Sequence, residues 1–243
     1  MRMDPLSVLP SPVRARLDEL RASLHTTLGD RLRTIAIFGS LPRGEYQAEQ
    51  SDIDVLLVID GPSRTTLEAI GRALQLARNS ARIECVILDV AEISHAADVF
   101  PLFYDDIRRC HILLHGTDPF AELHIDPGHI RLRIEQELRD SQIRLRRMVT
   151  DGGGRPQVLR GAVHRKLKQI RGPLAALLRL RGEVEVPQAL QAVLARACTA
   201  YGLDPRPLQA VEAAPAVAFD CLASLYAAAI DDVNARGDAP ATR

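Results

Sequence analysis

Apolar residues come in short β-rich runs over the first half of the chain and recur every three to four residues over the second. The runs "RTIAIFG" (33–39), "DIDVLLVI" (52–59) and "RIECVIL" (82–88) predict three strands, and "CHILLHG" (110–116) predicts a fourth. "SPVRARLDELRASLHTTLGD" predicts a helix with Ser11 as N-cap and Pro12 at the first helical position; Val13, Leu17, Leu20 and Leu24 form its apolar stripe. "SRTTLEAIGRALQLARN" predicts another between the second and third strands.

From about residue 129 the helical period takes over. "HIRLRIEQELRDSQIRLRRMV", "VLRGAVHRKLKQIRGPLAALLRL", "PQALQAVLARACTAYG" and "AVAFDCLASLYAAAIDDVNAR" each place apolar residues three and four apart. "DGGGRP" (151–156) reads as a turn between the first two, and the "GDAPATR" tail is expected to fray. The expected class is α/β (α+β): an N-terminal domain, residues 1–126, with a short mixed sheet, then an all-α helical domain, residues 127–243.

Charge changes this picture more than composition does. The formal net charge is zero, yet residues 131–181 carry 14 Lys and Arg against 4 Asp and Glu, while the segments before and after them are acidic. Different surfaces are therefore expected to meet different partners. The four cysteines, Cys85, Cys110, Cys198 and Cys221, form no CxxC pair and read as small buried hydrophobes rather than metal ligands or a disulfide framework. No apolar run reaches membrane-spanning length and the N-terminus lacks the apolar core of a signal peptide, so a cytoplasmic protein without membrane partners is expected.

One stretch does not fit a purely structural pattern. "FGSLPRGEYQAEQSDIDVLLVID" (38–60) opens a strongly apolar run on Asp52 and Asp54, two carboxylates that a strand places on one face with Ile53 on the other. Carboxylates held this close repel unless a cation sits between them, and hard oxygen ligands suit Mg²⁺. Gly39 and Ser40 end the preceding strand. The segment after them is expected to open a helix whose N-terminal N–H groups face an anion.

Gly-Ser, a spacer of about ten residues and Asp-x-Asp in an apolar strand resemble the signature of the nucleotidyltransferase superfamily related to DNA polymerase beta. The fuller string is most similar to the bacterial minimal and antibiotic nucleotidyltransferases. This resemblance implies that Asp52 and Asp54 hold one or two Mg²⁺ ions, and that Glu84, in "RIECVIL", completes the metal site or takes the proton of the attacking hydroxyl. It also implies that Gly39 and Ser40 grip the phosphates of a nucleoside triphosphate donor, with Arg43 as a bidentate phosphate donor.

Other chemistries are excluded by residues alone: the chain contains no GxxxxGK[ST], no GxGxxG after a strand, no GxSxG and no HExxH. The resemblance implies transfer of a nucleoside monophosphate, AMP from ATP first among them, to a hydroxyl of a small molecule, a protein or an RNA. The alternatives are a toxin-antitoxin component acting on a partner protein and a catalytically silent nucleotide-binding module. The basic segment 131–181 points to an anionic acceptor, met by Arg144, Arg146, Arg147, Arg165, Lys166 and Lys168. The oligomeric state leaves no mark in the sequence.

Overall fold

The structure, a computed structural model, describes residues 5–237. The expected fraying of the "GDAPATR" tail falls on 237–243, of which all but Gly237 lie outside the described residues. The chain divides into two compact units, Met1–Val99 with Phe103–His124 and Phe100–Leu102 with Ile125–Arg243.

The first unit is built on a four-stranded mixed sheet: β1 (Leu32–Phe38), β2 (Ile53–Ile59), β3 (Ile83–Asp89) and β4 (Ile112–Gly116), in the order β3-β2-β1-β4. β1 runs antiparallel to both β2 and β4, and β3 runs parallel to β2. Helix α2 (Arg64–Ala81) is the crossover between the parallel β2 and β3, and α1 (Ser11–Leu28) packs beside it. Leu17, Leu20, Leu24 and Leu28 of α1 and Ile70 and Ala77 of α2 share one apolar cluster with Ile35, Ile37, Ile53, Val55, Leu57, Ile59 and Ile83 of the sheet. α1 starts at Ser11, with Pro10 at the cap and no side-chain capping bond, which corrects the expected Ser11 cap. Ser63 caps α2, accepting from Thr66 N at 3.3 Å.

β2 is central, so both its faces are covered, which explains a run with no alternation. All seven of its residues are buried except Asp54. Two helices that the apolar period does not announce, α3 (Ile93–Val99) and α4 (Pro101–Arg109), follow β3.

The second unit contains helices α5 (Pro127–Gly152), α6 (Pro156–Leu180), α7 (Leu190–Ala200), the single turn α8 (Arg206–Gln209) and α9 (Pro215–Ala235). Asp126 caps α5 through Gly128 N at 2.6 Å, and Gly153, at φ 58°, ends it in the left-handed conformation that glycine tolerates. Ile134, Leu138, Leu145, Val163, Leu167, Ile170, Val193, Leu222 and Tyr226 belong to the buried core of this unit. Arg181, Tyr201 and Arg236 converge on Asp232, at 3.0, 2.9 and 3.1 Å, tying α6, α7 and α9 together at one end. Among the described residues no helix is long and apolar enough to cross a membrane.

Candidate active site

Pairing of β2 with β3 sets the site. In this parallel ladder Asp54 stands opposite Glu84, so both side chains leave the same face of the sheet, the face opposite α1 and α2. On the other side Asp54 is paired with Phe38, the last residue of β1. The residue that follows, Gly39, turns the chain directly over the Asp54 carboxylate. Its φ is 80°, and a Cβ at this position would lie 2.1 Å from Asp54 Oδ2 and 3.0 Å from Asp54 Cγ. Glycine is thus required twice, by backbone conformation and by space.

No helix follows Gly39 and Ser40, contrary to expectation. Residues 41–44 form a tight turn in which Gly44 N donates to Leu41 O at 3.1 Å, while Glu45 N donates to Ser40 O at 2.9 Å. The physical reason is local: Pro42 suits the second position of a β-turn, Gly44 takes φ 74° at its fourth, and Leu41 is anchored in the core. The expected anion-facing helix N-terminus is therefore absent at these residues.

Asp52 precedes β2 rather than lying in it. Its Oδ1 accepts from Arg82 Nε at 2.8 Å, and the same guanidinium donates to Glu49 O and Gln50 O at 2.7 and 3.0 Å, fixing the approach to the strand. Arg82 sits at the end of α2 with φ 54°, a left-handed cap. Arg78, one turn earlier, pairs through Nε with Glu84 Oε1 at 2.8 Å. Arg43 is largely buried, bonded through Nε to Glu45 at 3.1 Å and through Nη1 to Asp106 of α4 at 3.4 Å. Phe103 of α4 packs edge-on against Phe38, with ring centroids 5.9 Å apart.

These charges act on one another through Asp54. Burial raises the Asp54 pKa above 3.8; the negative charge of Asp52 raises it further, Arg43 opposes the rise and Glu84 adds to it. The three carboxylates and Arg43 are therefore within electrostatic reach, although Asp52 and Glu84 each hold an arginine. Among the described residues no three His, Cys, Asp or Glu side chains are gathered tightly enough to enclose a metal ion. In kind the donors fit a hard divalent cation: Asp54 is a half-buried carboxylate destabilised by two like charges, which a cation relieves.

Sequence reasoning named Asp52, Asp54, Glu84, Gly39, Ser40 and Arg43; Asp54 and Glu84 lie on the sheet face, Gly39, Ser40 and Arg43 in the turn at its edge, and Asp52 just ahead of β2. It missed Arg78, Arg82, Glu45 and Asp106 as their partners. Each joins through ladder pairing or chain reversal, and no spacing signals such contacts.

All four acidic residues of the basic segment are paired with its arginines on α5. Arg133, Arg139, Arg144 and Arg147 pair with Glu137, Glu135, Asp140 and Asp151 four residues away on α5. Lys166, expected at the surface, is buried, because it occupies the inward stripe of α6. Arg146, Arg165 and Lys168 remain exposed.

No curated protein matches the chain in sequence. The fold is similar to that of a spectinomycin adenyltransferase from Enterococcus faecialis, solved with ATP and spectinomycin, with a TM-score of 0.55 and 13% identity over 91% of this chain and 99% of that one. The sequence model of the nucleotidyltransferase domain matches residues 17–139, a span that holds the whole sheet, the Gly39 turn and all three carboxylates. The chain belongs to the nucleotidyltransferase domain family.

Proposed function

We propose that the protein transfers AMP from ATP to a hydroxyl group of a small-molecule acceptor, in a reaction that requires Mg²⁺. The observation that carries this reading is the register of Asp54 with Glu84 beneath the Gly39 turn. It gives one carboxylate packed against the glycine turn and a second, more exposed carboxylate beside it.

Asp52 and Asp54, with Glu84, would hold the ion. Bound there, Mg²⁺ supplies neutralisation of the triphosphate charge and alignment of the α-phosphorus. Gly39 and Ser40 bring backbone rather than side chain to the β- and γ-phosphates, and Arg43, steadied by Glu45 and Asp106, adds a positive charge next to them. Glu84 accepts the proton of the acceptor hydroxyl. That oxygen bonds to the α-phosphorus as the bond to the β-phosphate oxygen breaks, and pyrophosphate leaves. The likeness in fold to an adenyltransferase solved with ATP and spectinomycin covers 99% of that chain, and this supports ATP as donor and a hydroxylated small molecule as acceptor.

The test is label transfer. With Mg²⁺ and α-labelled nucleoside triphosphates, ATP should label a small-molecule fraction of cell extract, and the Asp54→Asn variant should label none. Label appearing only in protein or RNA would replace the proposed acceptor class. Equal transfer by Asp54→Asn would overturn the site itself.

A further inference from the structure

Lys166 occupies a place where the helical pattern calls for an apolar side chain. It shares the inward stripe of α6 with Leu159, Val163, Ile170 and Leu174, and it is 3% exposed. Opposite it, Ser141 interrupts the α5 stripe of Ile134, Leu138 and Leu145 in the same way. Lys166 Nζ donates to Gln169 Oε1 at 2.8 Å and, at the limit of bonding distance, to Ser141 Oγ at 3.5 Å. Both acceptors are neutral.

These three side chains, with Glu137, Asp140 and Arg144, line a cavity of about 320 Å³, within the size range of small-molecule sites. Each of the two carboxylates at its edge has one arginine partner and keeps further acceptor positions: Arg144 Nε lies 2.8 Å from Asp140, and Arg133 Nε lies 2.8 Å from Glu137. The two hydrogen bonds of this ammonium thus go to neutral acceptors, while Asp140, itself paired with Arg144, is the carboxylate that partly balances its charge. Burial lowers its pKa; Asp140 opposes this, and Arg144 and Arg165 reinforce it.

We infer that this cavity is a second ligand site, separate from the nucleotide chemistry, for a small molecule bearing one carboxylate. The carboxylate would accept from Lys166 Nζ and Arg144. The rest of the ligand would present hydroxyl or amino donors to Glu137 and Asp140. Those same acidic groups disfavour a phosphate dianion, which separates the two oxyanion classes.

The experiment is calorimetric titration of the full chain with L-serine, acetate and inorganic phosphate, alongside NMR of lysine side chains. L-serine should bind with unit stoichiometry and shift the Lys166 Cε resonance, with acetate weaker and phosphate weakest. Lys166→Met, which restores the apolar stripe, should weaken L-serine binding by about tenfold or more, as expected for loss of a charge-assisted hydrogen bond. Lys168→Gln, an exposed cation on the same helix, should leave binding unchanged. Tight phosphate binding without L-serine binding would overturn the ligand class. An unmoved Lys166 resonance in the wild type, or equal binding by Lys166→Met, would overturn the site.

Discussion

Replacing Gly39 by alanine probes the closest approach in the candidate active site. Two costs add. A left-handed backbone costs an ordinary residue about 1–2 kcal/mol, and Gly39 sits at φ 80°. The new Cβ would also stand 2.1 Å from Asp54 Oδ2 and 3.3 Å from Asp54 Cβ, so the carboxylate must retreat by about 1 Å into an off-rotamer position, which costs about 0.5–1.5 kcal/mol. Together these lower the melting temperature of the first unit by roughly 5–15 °C. The chemical effect should exceed the structural one, because a displacement of about 1 Å at a reacting centre costs on the order of 100-fold in rate. Circular dichroism melts and label transfer from α-labelled ATP measure the two separately. A double-mutant cycle isolates the steric part: in an Asp54→Ala background, Gly39→Ala should cost only the backbone share. If Gly39→Ala melts within about 1 °C of the wild type and keeps its activity, the turn is not pressed on Asp54 and the reasoning fails.

Asp54→Asn should abolish transfer yet raise the melting temperature without divalent cations. Folding raises this carboxyl's pKa above 3.8, so its share of stability is greatest below that value and is lost as pH rises through the folded value; a lower melting temperature at neutral pH would contradict this. Arg78→Gln removes an ion pair whose side chains are 67% and 42% exposed. Stability should therefore hardly change, while the Mg²⁺ concentration for half-maximal transfer falls, and an unchanged Mg²⁺ requirement would mean that Arg78 does not compete for Glu84. Asp232→Asn addresses the second unit. Burial works against the Asp232 carboxylate, but bonds from Arg181, Tyr201 and Arg236 hold its pKa below 3.8. Its contribution is therefore present above that pH and lost as pH falls through the folded value, and wild-type and variant melting curves should converge in acid; a gap independent of pH would point to packing alone.

The sequence by itself determined the strands, the long helices and the chemistry. Short apolar runs and the 3.6-residue period place the four strands and the long helices within a few residues, though not α3 or α4, and the Gly-Ser to Asp-x-Asp spacing in 38–60 names a class of site even though Asp52 falls just ahead of β2. What lay beyond it depends on which strand pairs with which. Glu84, named at the sequence level only through the family resemblance, lies 30 positions from Asp54, and the parallel register of β2 with β3 sets it opposite. The same is true of the arginines: Arg82 reaches Asp52 because α2 returns the chain beside β2, and Arg43 meets Asp106 because α4 folds over that sheet face. Local signals also misled where tertiary anchoring was stronger, as at 41–44, where buried Leu41, Pro42 and left-handed Gly44 make a turn in place of a helix. Lys166 shows the converse. Its charge marks it for the surface, but the stripe of apolar neighbours that packs α6 into the core carries it inward, since burying many apolar groups outweighs the cost of one ammonium.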